Sequence, residues 1–282
     1  MTRIKITPDE FTQFTRYILD ISGIALDKGK EYLLETRLNP LMGQLGCTSY
    51  KELLSRARMD LKKELENQII DAVSTNETYF FRDKSPFQLL QHKIIPDLMD
   101  RRSPKLPGLK PTLRIWSAAN STGQEIYSIA MTLKEMGITP EKYNIKLFGT
   151  DISDAAIAQA SYGIYNRFEV ARGLDPALLN KYFTPQGDNY KIRDEIRAMA
   201  QFKKMNLMKP MMGVGKFDII LCRNVMIYFT SEDRRKIYQN LAKQLEPDGY
   251  LLIGSTESLI NDTDLFMSSK YLNSVFYQCK TP

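Results

Sequence analysis

Histidine is nearly absent from this chain: His92 is the only one in 282 residues. It falls among Leu89, Leu90 and Ile94 in a helical pattern, which suits a partly buried helix position better than a catalytic one. Chemistry that needs a histidine base is disfavoured. Cysteine is scarce as well. Cys47, Cys222 and Cys279 are far apart, odd in number and lack a Cys-x-x-Cys pair, so neither a disulfide framework nor a zinc site is expected. No apolar run approaches the roughly 18 residues of a membrane span. The segment Met1-Thr2-Arg3-Ile4-Lys5-Ile6 lacks the apolar core of a secretory signal. These absences lead to the expectation of a cytoplasmic protein with no metal and no membrane insertion.

What is present is an ordinary globular composition with a net charge of +6. The length suffices for one large or two modest domains. The basic excess is uneven. It gathers around Arg82, Lys84, Lys93, Arg101, Arg102, Lys105, Lys110 and Arg114, and again around Lys191, Arg193, Arg197, Lys203, Lys204, Lys209 and Lys216. Such clusters suit an acidic partner surface or nucleic acid, while a solvated face is their commoner meaning.

The most informative stretch is Leu113 to Leu133. A short apolar run, Leu113-Arg114-Ile115-Trp116, ends in Ser117-Ala118-Ala119-Asn120-Ser121-Thr122-Gly123. Ile126, Ile129, Ala130 and Leu133 then keep helical spacing, so the stretch reads as strand, tight loop, helix. Small loop residues let a ligand approach the backbone, and a helix N-terminus offers unpaired N–H groups. Lys146 to Asp151 reads as a second strand ending in a carboxylate, placed for ribose hydroxyls or only for capping the next helix. The loop has one glycine where generic nucleotide fingerprints have three.

Taken with Thr75-Asn76-Glu77-Thr78-Tyr79-Phe80-Phe81-Arg82, Asn206-Leu207 and Cys222-Arg223-Asn224-Val225-Met226-Ile227-Tyr228-Phe229, this assembly closely resembles the CheR family. Those proteins are S-adenosylmethionine-dependent methyltransferases that esterify glutamates of bacterial chemoreceptors. The resemblance implies a doubly wound, Rossmann-like α/β methyltransferase sheet with a small antiparallel β insertion, preceded by an all-α domain. It implies S-adenosyl-L-methionine as cofactor and S-adenosyl-L-homocysteine as product. By position it assigns Asn76, Thr78, Arg82, Glu125, Asp151, Asn206, Leu207, Arg223 and Asn224 to the cofactor. Glu125 would neutralise the methionine ammonium and Asp151 would take the ribose hydroxyls. Arg82 would also orient the substrate carboxylate, and Tyr228 would pack or hydrogen-bond beside the transferring methyl.

The chain in order fits that plan. Residues 1–74 carry helical patterns and no strand signal: a run opened by Pro8 and closed by Gly23, a second over Lys30–Leu45 interrupted by Pro40, a third over Tyr50–Leu65, and Asn67–Val73. Residues 75–112 form an active-site segment, a helix over Pro86–Met99 and a proline-rich linker from Arg101. Residues 113–282 form the cofactor-binding domain, with an inserted β-subdomain over about 162–200. Within it, Phe217–Cys222 is apolar enough for a central parallel strand. A helix over Asp233–Leu245, a strand over Tyr250–Gly254 and an edge strand over Ser274–Gln278 follow. Phe80 and Phe81 read as core; Asn76 and Thr78 read equally as helix caps.

Methyl transfer from a sulfonium to a carboxylate requires no general base, since glutamate with a reference pKa of about 4.3 is ionised near neutrality. That suits a chain with one histidine and no evident triad. A nucleic-acid methyltransferase is the first rival; Val225-Met226-Ile227 after Asn224 replaces the Pro-Pro-aromatic run of amino-directed base methyltransferases. A cofactor-binding sensor without catalysis and a nicotinamide oxidoreductase are weaker rivals. The family's basic docking helix corresponds to Glu35-Thr36-Arg37-Leu38, where Asn39, Pro40 and Met42 stand in place of further arginines; Arg56, Arg58, Lys62 and Lys63 are the substitutes. The turn Thr184–Tyr190 is short for capturing a receptor C-terminal pentapeptide as an added strand. The expected partners are therefore the cytoplasmic helices of methyl-accepting chemoreceptors, met directly by a monomer, with no peptide tether and no nucleic acid.

Overall fold

The structure, a computed structural model, describes residues 4–102, 109–211 and 213–280. Four helices come first: α1 (Pro8–Ser22), α2 (Glu31–Leu45), α3 (Tyr50–Met59) and α4 (Glu64–Val73). Thr7 opens α1 with a capping box, its hydroxyl accepting from Glu10 N–H while the Glu10 carboxylate accepts from Thr7 N–H. Phe14, Ile18, Leu34, Leu38, Met42, Tyr50 and Leu53 are fully buried and make a core of their own.

Two details of this domain differ from the sequence reading. Pro40 does not interrupt α2, which runs continuously through it. A mid-helix proline costs about 3 kcal/mol, while each fully buried Leu or Met contributes about 1.5–3 kcal/mol. Leu34, Leu38 and Met42 on that helix are enough to hold it. The third helix divides at Asp60, whose carboxylate accepts from Lys62 N–H at 3.0 Å and Leu65 N–H at 2.7 Å. Lys63 then takes a left-handed backbone, φ 59°, and a new helix starts.

Next, α5 (Ser85–Leu89), one π-turn (Leu90–Ile94) and α6 (Ile95–Arg101) form a continuous helical segment. The π-turn absorbs Pro96, which lacks an N–H. His92 lies on that turn, exposed rather than partly buried, and is not among the residues lining the cleft between the domains. Much of the linker expected after Arg101 lies outside the described residues.

The second domain alternates strands and helices: β1 (Thr112–Ala118), α7 (Gln124–Glu135), β2 (Asn144–Asp151) and α8 (Asp154–Tyr162). The insertion follows with β3 (Ile164–Asn166), α9 (Arg167–Ala171), α10 (Pro176–Tyr182), β4 (Phe183–Gln186), β5 (Asn189–Ile192) and α11 (Asp194–Arg197). Its strands form a separate antiparallel sheet, ordered β3-β5-β4. The chain returns with β6 (Ala200–Lys204), β7 (Phe217–Cys222), a short 3-10 turn (Met226–Tyr228), α12 (Ser231–Gln244), β8 (Leu245–Ile253), β9 (Phe266–Tyr271) and β10 (Ser274–Cys279).

The main sheet has the order β6-β2-β1-β7-β8-β10-β9, parallel from β6 to β8 and antiparallel at β10 and β9. The strand order reverses between β1 and β7, so a crevice opens beyond their C-terminal ends. Every residue of β7 is buried, as a central parallel strand requires. Pro247-Asp248-Gly249 lies inside β8, where the pairing with β7 changes register. Strands β6 and β9 have no counterpart in the sequence reading.

The two domains meet over the crevice. Asp71 of α4 accepts from the Ser153 hydroxyl at 2.7 Å and from Ala155 N–H at 3.3 Å, at the start of α8. Lys204 bridges Asn67 and Asp154, both at 2.7 Å.

Candidate active site

A cleft of about 690 Å³ lies between the helical domain and the C-terminal ends of β1, β2 and β7. Asn76, Thr78, Arg82, Glu125, Asp151, Asn206, Leu207, Arg223, Asn224 and Tyr228 all line it. Residues separated by up to 152 positions in sequence are thus brought to one surface.

The loop from β1 to α7 forms the floor. Ala119 and Ser121 have φ of 58° and 54°, and Gly123 has 99°. Two of these three left-handed positions are therefore held by residues that favour other conformations. Hydrogen bonds fix them: Asn120 N–H donates to Thr150 C=O at 2.7 Å and Ser121 N–H to Asp151 Oδ2 at 2.8 Å. A Cβ on Gly123 would stand 2.9 Å from Tyr165 Oη and 3.0 Å from Ala160 Cβ, so glycine is also required there by close approach to α8.

Asp151 ends β2 and is buried. Its other oxygen accepts from Ser153 N–H at 3.0 Å. Burial pushes its pKa above the ordinary carboxylate value, the N–H groups of Ser153, Ser121 and Ile152 pull it back, and Asp71 adds a small upward push.

Glu125 stands in the first turn of α7. It accepts from the Ser117 hydroxyl at 2.7 Å and pairs with Arg223 Nη1 at 2.6 Å. Arg223, at the end of β7, is almost wholly buried and also donates from Nη2 to Asp83 at 2.8 Å and to Arg82 C=O at 3.0 Å. It ties the floor of the cleft to the turn that carries Arg82. Its Nε has no protein partner among the described residues.

That turn is strained: Phe81, Asp83 and Lys84 have φ of 53°, 65° and 33°. Phe80 anchors it, packed edge-on against Tyr165 and Phe183 at 5.1 and 5.5 Å; Phe81 packs on Phe87, as core residues should. Arg82 Nη1 donates to Glu77 C=O at 2.5 Å, and its guanidinium lies 5.7 Å from the Tyr79 ring. Among the described residues Arg82 makes no ion pair. Asn76 and Thr78 cap no helix; the Asn76 carbonyl oxygen accepts from the Ser121 hydroxyl at 3.4 Å.

The helical domain supplies the remaining wall. Asn206 Nδ2 donates to Ile21 C=O at 3.1 Å, and Ala25 N–H donates to Tyr228 C=O at 2.8 Å. The segment between α1 and α2 is thereby fixed against Asn206 and Tyr228. Tyr32 and Ile227, both exposed, form an apolar rim. Sequence reasoning missed three contributors: Ser117 and Asp83, which hold Glu125 and Arg223, and Glu257. The carboxylate of Glu257 accepts from the N–H groups of Gly254, Asn224, Val225 and Met226 at 2.7–3.1 Å. Asp83 directly follows the Phe-Phe-Arg run and was within reach; Ser-Thr-Glu-Ser in a loop carries no local signal.

Residues 76–274 match the family described as CheR methyltransferase, SAM binding domain, and residues 9–74 match the CheR methyltransferase, all-alpha domain. A chemotaxis protein methyltransferase of Vibrio parahaemolyticus is 37% identical, over 99% of this chain and all of that protein. Chemotaxis protein methyltransferase Cher2 of Pseudomonas putida is 36% identical, over 96% of this chain and 98% of its own length. One from Borreliella burgdorferi is 35% identical over 93% and 92% of the two chains. With both of its domains matched and the crevice at the expected switch of strand order, the chain belongs to the CheR family of S-adenosylmethionine-dependent methyltransferases.

Proposed function

We propose that this protein transfers the methyl group of S-adenosylmethionine to glutamate carboxylates on the cytoplasmic helices of chemoreceptors, giving glutamyl methyl esters. The observation that carries this reading is Arg82, a guanidinium on the cleft wall with no carboxylate partner of its own among the described residues, set beside carboxylates suited to the cofactor. The relatives' names place them in chemotaxis, which supports the same class of substrate.

The cleft fits the cofactor in size and donor set. Asp151 has acceptor capacity left for ribose hydroxyls, and Glu125 offers negative charge to an ammonium. When bound, S-adenosylmethionine supplies an electrophilic methyl on its sulfonium. Arg82 holds the incoming carboxylate by paired hydrogen bonds, which fixes the direction of attack. Tyr228 forms the wall beside the acceptor. No residue need remove a proton, because the acceptor is already ionised.

Tyr32 and Ile227 at the mouth suit the apolar face of an amphipathic helix. Arg37, the arginine matching the family's docking helix, is engaged elsewhere: it donates to Val73 C=O, to Ser74 C=O at 3.1 Å and to the Thr75 hydroxyl at 2.9 Å. Exposed Arg58 and Lys62 remain for the acidic face of the substrate. In the inserted sheet, β4 and β5 are joined by only Gly187 and Asp188, and β4 contains Pro185. This leaves a short edge for an added strand, in favour of direct helix recognition without a C-terminal tether.

The test is incubation with labelled S-adenosylmethionine and chemoreceptor-bearing membranes. Base-labile methyl label on receptor protein is expected; label that resists base, or none, overturns the reading.

A further inference from the structure

The cleft residues Asn224 and Tyr228 lie in a loop whose packing into the core rests on Met226 and Phe229, while Asn224 and Tyr228 themselves are only half-buried. Asn224 has a left-handed backbone, φ 57°, and Val225 is half-buried as well. The backbone is nevertheless tightly specified. Oε2 of Glu257 accepts from Asn224 N–H at 2.8 Å and Gly254 N–H at 2.7 Å; Oε1 accepts from Val225 N–H at 3.1 Å and Met226 N–H at 2.9 Å. Glu257 N–H in turn donates to Gly254 C=O at 3.0 Å. The carbonyls of the same loop continue the chain of bonds: Val225 C=O accepts from Tyr228 N–H and Met226 C=O from Phe229 N–H, each at 3.1 Å.

We propose that Glu257 is a positioning residue for methyl transfer, holding Tyr228 in register through the backbone of residues 224–226. Both carboxylate oxygens are filled by backbone donors, and no cation pairs with Glu257 among the described residues. The group that balances its charge is thus the loop itself. Gly254 belongs to the device. A Cβ there would lie 2.7 Å from Glu257 Oε2 and 2.8 Å from Asn224 Nδ2. The inference rests on the proposed place of Tyr228 beside the acceptor.

Glu257→Gln is the informative change. Whichever way the amide turns, its NH2 faces two backbone donors, so half of the clasp becomes repulsive. Glu125, in the first turn of α7, and Asp151, at the end of β2, are held by other contacts and stay where they are. The loss should therefore fall on turnover: kcat drops by about a hundredfold, as expected for a displacement near 1 Å at a reacting centre. Affinity for S-adenosylhomocysteine should fall much less than turnover, by about tenfold at most, because Asn224 is the one cofactor residue whose backbone the clasp holds directly. Hydrogen exchange in the product complex should speed up at least about tenfold over residues 224–229 and stay unchanged in β7 and α12.

Gly254→Ala, which displaces the clasp while keeping the carboxylate, should give the same split and serves if the glutamine variant does not fold. Turnover within about threefold of wild type, or a loss shared by turnover, cofactor affinity and thermal midpoint, overturns the proposal. If the wild-type enzyme does not methylate receptor at all, the proposed reaction fails instead. The exchange pattern then decides whether Glu257 governs the loop.

Discussion

Asp151→Asn is the sharpest perturbation of the cofactor site, because the carboxylate does two jobs that this change separates. In the structure one oxygen receives Ser121 N–H and the other Ser153 N–H, and the ribose hydroxyls would add further donors. Asparagine keeps one acceptor oxygen but presents NH2 where the second stood. A hydrogen bond to a charged group contributes about 1.5–3 kcal/mol. Weakening one such bond raises Kd for S-adenosylhomocysteine by roughly ten- to a hundredfold, at about 1.4 kcal/mol per decade. The fold should suffer little, since the lost N–H partner is offset by removing a buried charge.

The pH dependence gives a second, independent reading. Folding raises the Asp151 pKa, chiefly through burial. Its stability contribution is therefore present below the unfolded carboxylate pKa and lost as pH rises through the folded one. Cofactor binding runs the other way. Hydroxyl donors favour the ionised carboxylate, so affinity falls as pH drops through that raised pKa, and Asp151→Asn removes this acid limb. Titration calorimetry taken down into the acid range tests the binding limb, and denaturant unfolding over the same range tests the stability limb. Unchanged affinity in the variant, with the wild-type acid limb retained, would refute the assignment.

Arg82→Ala should leave the thermal midpoint near wild type, because it removes only a bond to Glu77 C=O and the Tyr79 contact, while methyl transfer falls strongly even at saturating substrate. Gly123→Ala should destabilise the enzyme by about 1–3 kcal/mol in denaturant unfolding, from a left-handed backbone and overpacking against Tyr165 and Ala160. Receptor binding should weaken with added salt, since exposed charges are screened over about 8–10 Å, whereas tight, salt-insensitive binding of a receptor C-terminal peptide in calorimetry would restore the tether.

The parts of this architecture visible in sequence are those with a local signature. Ile126, Ile129 and Leu133 mark α7 by spacing, and the apolar run of β7 marks a central strand. The edge strand β9 carries only Phe266 as a buried residue, so no alternation announces it. The division at Asp60 depends on a carboxylate reaching two N–H groups across a turn, which periodicity does not register. Pro40 shows tertiary burial overriding a local rule. In the cleft, the residues belonging to long, specific runs were legible. Glu257, three of whose four N–H partners lie over thirty positions away, was not.

The central claim is that a glutamate side chain accepts the methyl group. Its most direct test is mass-spectrometric peptide mapping of a purified chemoreceptor cytoplasmic fragment after incubation with the enzyme and S-adenosylmethionine. The account predicts methyl esters on glutamate side chains of the receptor helices, absent with Arg82→Ala. Methylation confined to nitrogen, or appearing on nucleic acid while the receptor stays unmodified, would contradict it.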